Sequence, residues 1–214
     1  EPTVSVNGQR AGYWAYGYNA FNVDITPYMK AGDNMVEVDL NNVEESSRWY
    51  PGGGIYRPVK LITTGDARFE TFETFAYTTR ADKKTAEMKV TTKVAGNLTD
   101  GNIGVNIALY DQKGFIVAES HCGQTETGDI ETVMNIRKPQ LWSPESPYLY
   151  KLVTKLFRNN KLIDQQTTNV GIRTVTVTKD GGFQLNGQTR KLKGVCLHHD
   201  LGPLGAAINK AALI

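Results

Sequence analysis

The first 65 residues alternate between apolar and polar side chains in short runs separated by turn-forming residues. In such a run every second side chain faces the same side of a β-strand, so one face of the resulting sheet is apolar. The Asn7–Gly8 pair favours the positive φ angles of a tight hairpin turn. The pattern predicts a β-sandwich or jelly roll, with strands at residues 4–11, 21–25, 35–40 and 54–63.

A glycine-rich loop lies between the last two of these runs, at residues 46–57, and reads Ser-Ser-Arg-Trp-Tyr-Pro-Gly-Gly-Gly-Ile-Tyr-Arg. Two interpretations stay open. The glycines allow a sharp turn in which an aromatic pair closes one end of the sandwich, or Arg48 and Trp49 project towards a partner domain or a sugar. Phosphate binding is not indicated, because neither a Lys-Ser/Thr pair nor a helix start follows the glycines.

Residues 66–178 continue with a longer series of alternating runs. Their number and spacing predict an immunoglobulin-like β-sandwich that lacks the cysteine pair of antibody domains. The segment 139–150 contains three prolines, which prevent regular strand pairing, and it is predicted to be a structural corner packed through large apolar side chains. The predicted strands are 68–79, 85–94, 103–110, 115–119, 131–136, 149–157 and 166–177.

The last segment, residues 179–214, begins with a predicted hairpin at Asn186–Gly187 and continues into a short apolar strand at residues 193–197. His198, His199 and Asp200 follow, and then glycines, a proline and an alanine-rich stretch of helix-forming composition. Strand, polar residues, turn and helix form the opening unit of a parallel α/β architecture. In such folds the residues at the carboxyl ends of strands line the active site.

His198 and Asp200 face one side of this predicted strand, because side chains alternate. The pair could bond sugar hydroxyls, act as a general acid and base, or form part of a metal site, and a polar turn after a buried strand is an equally weighted alternative. A metal ion would need further ligands that the sequence does not place nearby. Ser-His-Asp catalysis is not indicated, since no serine lies in a nucleophile-elbow context.

The composition of the chain argues against several classes of function. Lys and Arg number 24 against 22 Asp and Glu, which gives a net charge of +2 without any block of like charge; this argues against nucleic acid or an anionic membrane as a partner. No apolar run approaches the ~20 residues of a membrane helix. Cys122 and Cys196 make no disulfide framework, and His121 beside Cys122 has no second ligand pair. We expect neither a cofactor nor a metal ion.

Several motifs, taken in chain order, resemble glycoside hydrolase family 2, which contains β-galactosidases, β-glucuronidases and β-mannosidases. They lie at residues 6–8, 21–28, 32–34, 48–57, 139–150, 185–187, 192–195 and 198–205. The resemblance implies three parts: the C-terminal part of a sugar-binding jelly roll at 1–65, an immunoglobulin-like β-sandwich at 66–178, and the hairpin and first strand of a truncated (β/α)8 barrel at 179–214.

The resemblance also implies a retaining glycosidase that hydrolyses O-glycosidic bonds in a β-glycoside. His198 matches a family histidine that contacts substrate in the glycone pocket, and Asp200 matches a position where some members use Asp to bind hydroxyls. Arg48 is a further substrate-binding candidate. No catalytic residue is expected within this chain, since the two glutamates that retention requires lie on later barrel strands, beyond residue 214. The chain alone is therefore expected to be inactive. His199 replaces a common glutamate, which leaves the preferred sugar open.

A second hypothesis is a stand-alone carbohydrate-binding module made of two β-sandwiches. It differs from the first in predicting sugar affinity without a barrel. Half a jelly roll has unpaired edges and a half-covered core. The missing barrel domain is therefore an expected partner, and the tail after residue 198 is expected to be disordered or docked on another copy of the chain.

Overall fold

The computed structural model describes residues 1–43, 53–123, 128–196, 201–205, 207 and 209–212. These residues form fourteen β-strands and three short 3-10 turns, so the predicted all-β fold is confirmed. The chain divides into two compact units, Glu1–Leu61 with Val195–Ile214, and Ile62–Gly194, called unit 1 and unit 2 below. In the described part of the chain, no helix combines the length and the apolar character that crossing a membrane requires.

Unit 1 contains a three-stranded antiparallel sheet of strands β1 (Pro2–Val6), β2 (Gln9–Tyr13) and β3 (Val36–Leu40), in the order β2-β1-β3. The alternation of β1 buries Val4 and Val6 on one face. Asn7 and Gly8 connect β1 to β2 with the positive φ angles of 52° and 78° that the sequence predicts.

The side chain of Asn7 also fastens this hairpin to the connection that leads into β3. Its amide nitrogen donates to the backbone oxygen of Tyr28 and to Oδ1 of Asn34, both at 2.9 Å. The backbone of Asn7 donates to Met35 O at 2.9 Å, and Met35 N donates to Asn7 Oδ1 at 3.1 Å. One asparagine therefore sets both the turn and the start of β3.

Two strands predicted in unit 1 are not formed. Phe21, Val23 and Ile25 do share a half-buried side, but residues 21–25 are not a strand. Residues 54–63 are irregular as well, and their apolar side chains at positions 55, 59, 61 and 62 are exposed. A strand exists only where a neighbour accepts and donates its backbone hydrogen bonds, and no described strand pairs with either segment.

Unit 2 is a β-sandwich, as predicted for this part of the chain. One sheet has the order β11-β10-β7-β8; in the other, β6 pairs with β4 and β5 along one edge and with β9 along the other. The inward side chains of both sheets form one core, in which Ile107, Leu152 and Leu156 are among the fully buried residues. The strands are β4 (Ala67–Phe69), β5 (Phe75–Ala81), β6 (Thr85–Gly96), β7 (Ile103–Tyr110), β8 (Ile116–Cys122), β9 (Asp129–Arg137), β10 (Tyr150–Arg158) and β11 (Lys161–Val170).

Two predicted strands of unit 2 are each divided in the structure. The run 68–79 is broken between β4 and β5, where Phe72 takes a positive φ of 69°. The run 166–177 ends at Val170, because Ile172 leaves the sheet and forms a parallel bridge with Leu141. Ile172 is fully buried there, so its burial outweighs continuation of the strand.

The last part of unit 2 is a small sheet of β12 (Val175–Thr178), β13 (Gly182–Leu185) and β14 (Gln188–Thr189). The predicted barrel strand is not present among residues 191–196, where the backbone is irregular and Val195 is 94% exposed. A barrel strand requires a hydrogen-bonded neighbour on each side, and the described residues provide none. Instead of the predicted helix start, the described residues contain 3-10 turns at Gly202–Leu204 and Lys210–Ala212.

Candidate functional site

The three residues assigned to substrate binding from the sequence, Arg48, His198 and Asp200, lie outside the described residues. The structure does describe the elements that precede and follow them in the chain. The β12–β14 hairpin leads towards His198 and Asp200, and Tyr56 and Arg57 are the last residues of the loop that contains Arg48.

The turn of the last hairpin is held by Asn186, which adopts φ 52° ahead of Gly187. Its backbone N–H donates to Thr174 O at 2.9 Å, and Thr174 N donates to Asn186 Oδ1 at 3.0 Å. Its amide nitrogen donates to Trp142 O at 3.0 Å. The turn is therefore joined to the proline-rich segment by a side chain whose donor and acceptor are both in use.

Arg190, the first residue after this hairpin, is fixed from two directions. Its backbone N–H donates to Phe183 O at 2.9 Å, and its guanidinium forms an ion pair with Glu145. The bond from Arg190 lowers the pKa of the Glu145 carboxyl to about 2, and the same bond raises the pKa of Arg190. The chain thus leaves the sandwich at a defined point on its way to His198.

The proline-rich segment, residues 139–150, is a packed corner, as the sequence predicts. The Arg173 guanidinium lies 4.7 Å from the centroid of the Trp142 ring, a cation–π arrangement. Tyr148 and Tyr150 meet edge to face at 4.9 Å, and the Tyr150 hydroxyl accepts a hydrogen bond from Gln140 N at 2.8 Å. Burial raises the pKa of Tyr150. These contacts support the hairpin structurally rather than forming a reactive centre.

An open groove of about 380 Å³ lies beside the hairpin. Among its lining residues, Asp82 accepts hydrogen bonds from the backbone of Lys84 and Thr85 at 2.6 and 2.7 Å, which lowers the pKa of its carboxyl. Arg190 is engaged with Glu145. These two charged groups of the groove therefore already serve the fold.

On unit 1, the loop after β2 and the end of the glycine-rich loop bring three tyrosines together. The Tyr16 and Tyr18 ring centroids are 5.6 Å apart, and those of Tyr18 and Tyr56 are 6.4 Å apart. The Arg57 guanidinium lies 5.2 Å from the Tyr56 ring centroid. We call Tyr16, Tyr18 and Tyr56 the aromatic row. This row was not predicted from the sequence, although positions 13–21 are dense in aromatic residues.

A metal site is not formed by the described residues, which contain no group of three or more His, Cys, Asp and Glu side chains suitably placed. His121 lies beside Asn106 at 3.1 Å and Glu119 at 3.7 Å on the outer face of β7 and β8. Cys122 and Cys196 are free thiols.

Comparison with known proteins identifies the family of the chain. The sequence profile of glycosyl hydrolases family 2 matches residues 71–173. A beta-galactosidase of Bacteroides ovatus is 43% identical over 98% of this chain and 26% of its own length. A beta-glucuronidase of Formosa agariphila is 32% identical over 89% of this chain and 22% of its own length. A solved family 2 structure from Bacteroides cellulosilyticus superposes with a TM-score of 0.86 at 34% identity, covering 99% of this chain and 28% of that one.

The chain thus spans about a quarter of the length of these relatives. The matched profile lies within unit 2, while the matched relatives extend over unit 1 and the last hairpin as well. The sequence, the sandwich and the relatives agree, and the chain belongs to glycoside hydrolase family 2 as a segment of its accessory β-domains.

Proposed function

We propose that this chain is the accessory part of a β-galactosidase-like retaining glycosidase and supplies one wall of its substrate pocket. In this proposal residues 1–65 are jelly roll, 66–178 the immunoglobulin-like domain and 179–214 the entry to a barrel. His198, Asp200 and Arg48 bind the substrate, a β-glycoside. By resemblance to the family, the two catalytic glutamates belong to later barrel strands beyond residue 214, where they form the carboxyl pair about 5–5.5 Å apart that retention requires.

The observation that carries the proposal is the identity of 43% to a beta-galactosidase across 98% of the chain. The anchoring of the last hairpin supports it. Asn186 and Arg190 fix the chain just ahead of His198 through bonds to Trp142 and Glu145. Binding residues are effective when the elements that precede them are rigid.

The proposal is tested in the enzyme that contains this chain together with the barrel. His198→Ala and Asp200→Asn each remove hydrogen bonds to substrate hydroxyls, and we expect kcat/KM for a nitrophenyl β-glycoside to fall about a hundredfold. His121→Ala is the matched control, because His121 is an exposed histidine on unit 2, and it should leave kcat/KM unchanged. Unaltered kinetics in both site variants would contradict the assigned roles.

Galactoside and glucuronide substrates, compared in the same enzyme, decide which sugar is preferred. The 214-residue chain by itself should release no nitrophenol above background from either substrate. Turnover by the purified chain would show that its own carboxylates catalyse the reaction and would contradict the division of roles proposed here.

A further inference from the structure

We propose that Asp100, in the loop between β6 and β7, is a site of spontaneous isoaspartate formation, and that Asp180, in the turn between β12 and β13, is protected from the same reaction. The chain contains two Asp-Gly pairs, Asp100–Gly101 and Asp180–Gly181. An aspartate followed by glycine is prone to this reaction, because glycine has no side chain that hinders ring closure. The inference does not depend on the proposed function, since it concerns only the main chain of unit 2.

The reaction needs no enzyme and no reactant other than water. The glycine nitrogen loses its proton and attacks the side-chain carboxyl carbon of the aspartic acid. A C–N bond forms, a C–O bond breaks and the oxygen leaves as water, which closes a succinimide ring. Water then opens this ring at either carbonyl carbon. Opening at the former main-chain carbonyl gives isoaspartate, in which the main chain passes through the side-chain carboxyl group and the α-carboxylate is free.

Hydrogen bonding distinguishes the two pairs, whereas exposure does not. Both aspartates are exposed, and both glycines are half-buried. Gly181 N donates to the Thr178 hydroxyl at 2.9 Å, and Gly181 O accepts a hydrogen bond from the Thr189 hydroxyl at 3.1 Å. Within the described part of the chain, by contrast, Gly101 N donates no hydrogen bond and the Asp100 carboxyl accepts none.

The hydrogen bond from Gly181 to Thr178 slows ring closure at Asp180. Attack requires this bond to break, because the nitrogen must give up the proton that it donates to the hydroxyl oxygen. The nitrogen of Gly101 has no such bond to break. From the net strength of a neutral hydrogen bond, we expect Asp180 to isomerise about five- to tenfold more slowly than Asp100.

The product changes the loop, because isoaspartate adds one carbon atom to the main chain. Hydrogen bonds hold the loop on both sides of the Asp100–Gly101 bond. Asp100 N donates to Asn97 Oδ1 at 3.3 Å, and Asn102 N donates to Asn159 Oδ1 at 2.9 Å. Asn159 N in turn donates to Asn102 O at 2.9 Å. A longer main chain strains these bonds, so isomerisation loosens the connection between the start of β7 and the turn that joins β10 to β11.

Incubation of the 214-residue chain at neutral pH, followed by trypsin digestion and mass spectrometry, tests the proposal. Methylation by a protein-isoaspartate methyltransferase with S-adenosylmethionine quantifies the free α-carboxylate, and fragment ions locate it. Asp100 lies in the tryptic peptide 94–113 and Asp180 in the peptide 180–190. Isomerisation leaves the peptide mass unchanged, which distinguishes it from deamidation of Asn186. We expect isoaspartate to accumulate about five- to tenfold faster in the first peptide.

Thr178→Val is the matched variant, because it removes the hydroxyl that holds Gly181 N and keeps a side chain of similar shape. It should raise the rate at Asp180 to that at Asp100. Asp100→Glu should abolish isomerisation in the peptide 94–113, since glutamate would have to close a larger ring. In the urea-unfolded chain the two pairs should react at similar rates. Equal rates at both pairs in the folded chain, or no isoaspartate at Asp100, would overturn the proposal.

Discussion

Arg190 and Glu145 form an ion pair that joins the end of the last hairpin to the proline-rich segment of unit 2. The pair lowers the pKa of Glu145 to about 2, below its ordinary value. A carboxyl whose pKa is lower in the folded state stabilises the fold above its unfolded pKa, and this contribution disappears as the pH falls towards the folded pKa.

We therefore expect unit 2 to lose stability between about pH 5 and pH 2. Urea unfolding at several pH values measures the loss in the wild type and in Glu145→Gln, in which the titrating carboxyl is absent. The variant should be less stable at neutral pH and should have a shallower pH dependence, because its remaining dependence comes from other carboxyls with lowered pKa values, such as Asp66 and Glu87. Identical slopes would contradict the role of the pair.

The turn at Asn186 gives a prediction for stability. Asn186→Ala removes the bonds to Thr174 and Trp142 and leaves a methyl side chain at a positive φ. We expect the free energy of unfolding to fall by about 2–3 kcal/mol. Equilibrium urea unfolding of unit 2 measures this loss.

Asn160→Ala is the matched control for that experiment. Asn160 also has a positive φ, 64°, in the turn between β10 and β11, but its side chain makes no hydrogen bond within the described part of the chain. Its replacement should cost only the backbone strain, about 1 kcal/mol. Equal losses at both positions would show that the side-chain bonds of Asn186 contribute little.

The close approach of Gly171 to Trp142 gives a second prediction. A Cβ at position 171 would lie 3.0 Å from the Cβ and Cγ atoms of Trp142, tighter than ordinary contact. Gly171→Ala should displace the indole ring, lower the free energy of unfolding by about 1–3 kcal/mol and alter tryptophan fluorescence. Gly104→Ala in β7 meets no atom within 4 Å and should be neutral or stabilising by about 0.5–1 kcal/mol.

Thr154 and Thr92, which are buried among the described residues of the sandwich, should respond in opposite directions to valine. The Thr154 hydroxyl is buried without a hydrogen-bond partner among the described residues, so Thr154→Val should stabilise unit 2 by up to about 1 kcal/mol. Thr92 shares a hydrogen bond of 2.7 Å with Thr74, and Thr92→Val should destabilise it by about 1–2 kcal/mol. Thermal unfolding that shifts in the same direction for both would contradict this assignment.

The strands that could be predicted from the sequence are those whose alternation is long and bounded by turns. β7 was predicted with the bounds that it has, Ile103–Tyr110. Alternation shows which side chains share a face but not where a strand stops. In the predicted strand 68–79, Phe69 is buried, whereas Phe72 and Phe75 are exposed. The chain turns at Phe72, and the predicted strand is two strands in the structure. Residues 54–63 carry a strand pattern but have no described pairing partner, and pairing is a tertiary property.

The candidate site was less accessible to prediction. The roles of Arg48, His198 and Asp200 follow from resemblance and stay predictions, because these residues lie outside the described part of the chain. The aromatic row depends on the proximity of Tyr56 to Tyr18. Periodicity within either segment contains no information about that distance, so only the fold reveals the row.

Asn7 and Asn186 make equivalent hydrogen bonds in two separate hairpins, and these bonds bear on deamidation. An asparagine followed by glycine is prone to deamidation, because the glycine nitrogen, which no side chain shields, loses its proton and attacks the side-chain carbonyl carbon, and the amide nitrogen leaves as ammonia. In this protein the side-chain amides of both residues are hydrogen-bonded, to Tyr28 and Asn34 in one hairpin and to Thr174 and Trp142 in the other. Conversion to aspartate would place an oxygen against a backbone carbonyl at each site, so the native fold protects the sequence that its turns require.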